Sequence, residues 1–222
     1  MTASPPRRCD HPIATTIPAT RHTATTTTTT ETAKEGQNTM DATTAMNQTD
    51  GIVTNLIDGL SADQREAPTP CTEWTVHDLL GHMCSGGHMI AGALQGAAPV
   101  ESAPDYLADG PAAGWSTMSA ELRSAATPEA LTASHQLPFG EMPGEVALSV
   151  IVADHLTHAW DLAKASGQDI AVDDELAGWA LATWKQVVPA AGRTGDGFKA
   201  AVTVGADSSP LDQLVAYTGR TP

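Results

Sequence analysis

Apolar side chains recur three and four residues apart along most of this chain, the period of helices with one buried face. Ile52, Leu56, Ile57 and Leu60 share a face and predict a first helix after Asp50. A proline-bearing linker, APTPCTEW (67–74), follows. Thr75 and Asp78 then form a capping-box start, and Val76, Leu79, Leu80, Met83 and Met89 make the inward stripe of a second helix. Residues 98–112 read as loop, and Trp115, Met118 and Leu122 mark a third helix. Thr127-Pro128-Glu129 reads as a new N-cap with proline at the first helical position. The stretch HQLPFGEMPG (135–144) is too rich in Pro and Gly for a regular element. A long fourth helix is expected from about Pro143 to Ser166, ending at Gly167. A fifth opens at the acidic run Asp173-Asp174-Glu175, which suits the positive end of a helix dipole. It carries Leu176, Trp179, Ala180, Thr183, Trp184 and Val187 before Pro189. Residues 198–204 predict a short strand and 210–218 a last short helix ending at Gly219. The pattern describes an all-α, up-and-down bundle over residues 47–222 with a short C-terminal appendage.

The first 46 residues are different material, with six consecutive threonines (Thr25 to Thr30) and almost no large apolar side chains. Such a segment buries too little surface to offset its conformational entropy, so residues 1–46 read as disordered. A mis-called upstream extension, with the true start at Met40 or Met46, fits as well. Of 222 residues 41% are hydrophobic, enough for a core, and five of the nine aromatics are tryptophan. Trp74, Trp160, Trp179 and Trp184 fall inside patterned segments and are expected core anchors.

The formal charge is -15, from 11 basic and 26 acidic residues. The first 46 carry four of each sign, so the excess acidity lies in the patterned part. That field repels phosphate backbones and anionic membrane surfaces and argues against nucleic-acid or membrane partners. Three cysteines (Cys9, Cys71, Cys84) without paired spacing do not describe a disulfide framework. With no long apolar run and no signal-peptide pattern after Arg7 and Arg8, a cytoplasmic protein is expected.

The sharpest chemical feature is ADHLTHAWDLA (153–163) in the fourth helix. Asp154 and His158 are four residues apart and stack on one face, shared with Ile151 and Leu162, where both can reach one cation. The same spacing also suits a plain intrahelical hydrogen-bonded pair. His82 lies within the apolar stripe of the second helix, with small Gly86 one turn on. A lone histidine there is as well a core residue, but two imidazoles and one carboxylate make a three-ligand metal set with an open position. His155, about 100° around the helix from Asp154, is expected to pack or face solvent. His77 sits in the first turn of its helix, His88 and Cys84 fall off the His82 face, and Cys71 reads as a small buried apolar group rather than a thiolate. No phosphate loop, nucleophile elbow or CxxC is present.

TPCTEWTVHDLLGHM (69–83), LPFGEMPG (137–144), HAWDLAKASGQ (158–168) and LDQLVAYTGRTP (211–222) occur in order. Together they resemble an actinobacterial family of DinB-like metal-binding proteins related to the N-terminal domain of mycothiol-dependent maleylpyruvate isomerase. The resemblance implies a DinB-like four-helix bundle holding a divalent metal on His82, Asp154 and His158. The isomerase has Glu where this chain has Asp154, and it carries a further C-terminal domain for which residues 190–222 are short.

Two imidazoles and a carboxylate suit Zn²⁺ first, with Fe²⁺ or Ni²⁺ also accommodated. The leading functional expectation is a metal-dependent transferase or isomerase that takes a low-molecular-weight thiol such as mycothiol as cosubstrate. The alternative is a non-catalytic, metal-stabilised structural or regulatory module, with a fourth ligand drawn from His155, His88 or Asp161. Small-molecule partners are expected, and a homodimer is compatible with either reading.

Overall fold

Five of the helices begin at a side chain that caps them, Thr127 serving the one-turn helix at Pro128–Thr132. The cap of α1 (Ala42–Asp58) is Asp41, which accepts from Thr44 N at 2.6 Å. At the start of α2 (Val76–Leu94), Thr75 and Asp78 bond each other's backbone amides, the reciprocal box expected from the sequence. Asp173 caps α6 (Asp174–Val187), and Ser209 caps α7 (Pro210–Tyr217). Proline opens α3 (Pro111–Ala125) and the one-turn α4 (Pro128–Thr132). The long α5 (Gly144–Ser166) stops at Gly167, whose φ of 68° is left-handed and favours glycine. This computed structural model describes residues 40–98, 104–188 and 199–222.

Three expectations change. The first helix starts at Ala42, inside the segment read as disordered or extra, and buries Ala42, Ala45 and Met46. Small alanines carry this part of the stripe, so a count of large apolar residues overlooks it. The expected disorder of residues 1–39 lies outside the described residues, as does Pro189. HQLPFGEMPG is a regular element after all. Strand β1 (Ser134–Leu137) pairs antiparallel with β2 (Gly140–Pro143), Leu137 opposite Gly140. Leu137, Phe139 and Met142 turn inward, while Pro138 sits in the turn and Pro143 at a strand end, where missing N–H groups cost little. Finally, residues 199–205 form no strand and are held by a Val202 N–H bond to the Ala216 carbonyl at 2.9 Å.

The protein is mostly helical. The four longest-packed helices close a ring: α1 lies against α3 and α5, and α2 against the same two. Outside it, α6 packs on α5, and α7 on α6 and α5. Trp184 Nε1 donates to Thr157 Oγ at 3.1 Å, tying α6 to α5. Trp74, Leu79, Trp160 and Trp184 are buried as expected, whereas Trp179 is half-buried. Gly86 lets α5 approach α2 closely, since a Cβ there would stand 2.8 Å from Ile151 Cδ1.

From Val150 to Ala163 every residue of α5 is buried, so this stretch of the helix has no solvent face. Burying polar side chains without partners costs several kcal/mol or more. Asp154, His155, Thr157, His158 and Asp161, all on this stretch, therefore require neighbours that satisfy them. No helix among the described residues is long and apolar enough to cross a membrane.

Candidate metal centre

Asp154 and His158, one turn apart on α5, meet His82 from α2. Asp154 Oδ2 lies 3.4 Å from His82 Nε2, and Asp154 Oδ1 lies 3.5 Å from His158 Nε2. One donor atom from each residue falls within 4.8 Å of the others. The imidazoles stand edge to face, 5.1 Å apart. Asp154 and His158 are buried, while the His82 side chain keeps 19% of its exposure. The cluster therefore meets solvent on the α2 side.

The spacing and the donor set both suit a small divalent ion. Donors about 2.0–2.2 Å from a tetrahedral metal stand about 3.3–3.6 Å from each other. Charge-assisted hydrogen bonds are shorter, at about 2.7–2.9 Å. Other imidazole–carboxylate contacts in this chain have about that shorter length: His158 Nδ1 to Asp161 Oδ2 at 2.9 Å and His88 Nδ1 to Glu121 Oε2 at 2.6 Å. The two long contacts are those of the cluster, each ending on a different oxygen of Asp154.

Asp161 is where the structure adds most. The sequence offers it only as a fourth ligand, yet it faces the opposite ring nitrogen of His158, away from Asp154. Arg220, just past α7, grips it with two bonds: Nη2 to Oδ2 at 2.6 Å and Nε to Oδ1 at 3.1 Å. Burial pushes the Asp161 carboxyl up, but the hydrogen bond from His158 and the Arg220 guanidinium outweigh it and hold it well below the usual range. An ionised Asp161 accepts a hydrogen bond from the Nδ1–H of His158, which leaves the Nε2 lone pair facing Asp154 and His82. Local spacing could have suggested Asp161, three residues after His158. Nothing local marks Arg220, 59 residues further on.

The loop before α2 closes the other side. An isolated bridge between Pro68 and Thr75 and a Thr69 hydroxyl bond to the Cys71 carbonyl fold it tightly. It seats Trp74 4.8 Å from the His82 ring and 6.0 Å from the His158 ring. Cys71 Sγ stands 3.3 Å from Asp161 Oδ2 and 3.8 Å from His158 Nδ1, so it is not the apolar filler expected from sequence. Burial, then the Asp161 charge, push its thiol up, away from thiolate chemistry. Cys71, His158 and Asp161 also have donor atoms within 4.8 Å of one another. There, however, Arg220 already supplies a full positive charge, which a second cation would have to displace. Cys84, off the cluster, is buried, and burial pushes its thiol up to about 12.

The other histidines among the described residues lie elsewhere. His77 is exposed, His88 pairs with Glu121 and stacks on Tyr106, and His135 contacts the Ala130 carbonyl. His155 does pack, fully buried, with Nε2 3.0 Å from the Met83 carbonyl. A separate cavity of about 320 Å³ lies between α1 and α3, and none of its lining residues belongs to the cluster.

Residues 46–163 match the family described as "Mycothiol maleylpyruvate isomerase N-terminal domain". That span includes His82, Asp154, His158 and Asp161 and stops short of Arg220. Two uncharacterized proteins of Mycobacterium tuberculosis, from strains CDC 1551 / Oshkosh and ATCC 25618 / H37Rv, are each 38% identical over 168 residues. The match covers 75% of this chain and 90% of each relative. No solved structure matches the chain significantly.

Proposed function

The chain belongs to the mycothiol maleylpyruvate isomerase N-terminal domain family, and from that premise we propose that it binds one divalent metal ion, Zn²⁺ first, and uses it in thiol-dependent transferase or isomerase chemistry. The observation that carries the reading is that donor atoms of His82, Asp154 and His158 lie within 4.8 Å of one another, where one ion can reach all three. The helical ring of α1, α2, α3 and α5 is read as the family's DinB-like four-helix bundle.

His82 Nε2, one Asp154 oxygen and His158 Nε2 would hold the ion. When bound, it supplies a Lewis acid that lowers the pKa of a thiol or water at its remaining position. A small thiol of the mycothiol kind is the cosubstrate this scheme takes. The protein's own side chains orient and shield. Asp161 keeps the proton of His158 on Nδ1, and Arg220 keeps Asp161 ionised. Trp74 lays an indole beside both imidazoles and limits water on that side. The partly exposed edge of His82 leaves an approach for substrate.

The test is metal analysis of the purified protein with His82→Ala and His158→Ala, followed by thiol titration of the cobalt-substituted form. The reading requires tight metal in the wild type, its loss in both variants with the helical fold retained, and a thiol-induced change in the cobalt spectrum. Absence of metal from the wild type sinks it. A bound metal whose spectrum ignores added thiol would instead indicate a non-catalytic, metal-stabilised module.

A further inference from the structure

His82 and Met83 are consecutive on α2, and Asp154 and His155 are consecutive on α5. The two helices are therefore joined twice at one level. On one side His82 Nε2 meets Asp154 Oδ2 at 3.4 Å, and on the other His155 Nε2 meets the Met83 carbonyl at 3.0 Å. A carbonyl only accepts, so His155 must carry its proton on Nε2. A carbonyl oxygen also has two lone pairs, so Met83 can accept this bond without surrendering its place in the helix. The His155 ring is buried at 3% exposure and braced by the edge of Trp115, centroids 5.0 Å apart. It cannot swing away without opening the core.

We propose that His155 is a positioning residue for the metal cluster, its hydrogen bond to the Met83 backbone fixing the separation of His82 from Asp154. The bond is made to backbone, so it sets the rotation and height of α2 beside α5 rather than one rotamer. Within α5, Asp154 and His158 keep their relation through the helix itself. His82 arrives from another element, and its distance depends on how the two helices are held. Binding sites tolerate displacements of only about 0.5 Å before they loosen. Gly86 allows the close approach of α2 and α5, and His155 supplies a directional bond at the level of the cluster.

The inference rests on the metal reading above, and its test separates the two. Zn²⁺ affinity is measured by competition titration on wild type, His155→Phe and His155→Gln, with thermal melts of the metal-free proteins and spectra of the cobalt forms. Phenylalanine keeps the packing and removes the donor; glutamine keeps an N–H at the reach of Nε2. Should His155→Phe not fold, His155→Met takes its place as the donor-free variant. The expected result is Zn²⁺ affinity lowered at least tenfold and a shifted cobalt spectrum in the donor-free variant, with His155→Gln within threefold of wild type. A donor-free variant that matches the wild type in affinity and spectrum overturns the proposal, whatever its melting temperature. So does equal weakening in both variants. A wild type that takes no Zn²⁺ removes the metal reading and this inference together.

Discussion

Asp161 and Arg220, 59 residues apart, form a two-bond ion pair at 2.6 and 3.1 Å in the protein interior, directly behind His158. The Asp161 side chain is fully buried and that of Arg220 is 10% exposed. Such a pair is costly to break from one side, because the surviving charge stays buried; losing one partner typically costs about 3–5 kcal/mol.

Asp161→Asn should therefore weaken metal binding while the fold persists. Asparagine keeps the shape but cannot anchor the Nδ1 proton as firmly. Altering the carboxylate behind a ligating histidine typically lowers metal affinity about 10–100-fold. Isothermal titration with Zn²⁺ reads the effect; an affinity unchanged from wild type would show that Asp161 serves only Arg220.

Arg220→Gln should lower the melting temperature, since it leaves an ionised carboxylate buried without its cation, just as Asp161→Asn strands the Arg220 guanidinium. The expected loss is about 3 kcal/mol. Combining Arg220→Gln with Asp161→Asn should recover part of it. A double variant as unstable as the sum of the singles would mean that the pair contributes no coupling.

Truncation separates the two possible boundaries of the first helix. A chain beginning at Asn47 lacks the Asp41 cap and the buried Ala42, Ala45 and Met46, and should melt several degrees below one beginning at Met40. Equal melting temperatures would show that this first turn and a half does not contribute to the core's stability.

Stability of the metal-free protein should fall as pH drops below about 6.5, the ordinary value of an unfolded histidine. Burial lowers the His155 pKa to about 4, so between those values the unfolded chain binds a proton that the native His155 refuses. The sign follows: the unfolded state gains protons first, and unfolding becomes easier with acid. The contribution is on the order of 3 kcal/mol, complete by pH 4. Denaturant titrations from pH 7 to 4 should show a shallower loss in His155→Gln, which does not titrate.

Trp184→Ala should cost about 3–5 kcal/mol, as truncation of a buried aromatic does, and Trp179→Ala distinctly less. Trp184 is 2% exposed and bonded to Thr157, whereas Trp179 is half-buried. Equal losses would contradict this packing of α6 on α5.

The sequence by itself determined the helices and the three candidate ligands, because those signals are local. A capping box spans four residues, and Asp154 and His158 are related by one turn of the same helix. It placed His82 on an inward stripe for the same reason. What the sequence hid were features whose signal is weak or distant. The first turn of α1 buries alanines that carry little hydrophobic contrast, and the β1–β2 hairpin keeps its prolines where no ladder bond is needed. Only the tertiary structure decided which polar residues of α5 became neighbours of what. Because α5 is buried on every side from Val150 to Ala163, Asp161 and His155 could not end in solvent; each took a partner from whichever element packed there. Those partners, Arg220 beyond α7 and the Met83 carbonyl of α2, are set by chain topology and helix packing. No spacing within ADHLTHAWDLA encodes them.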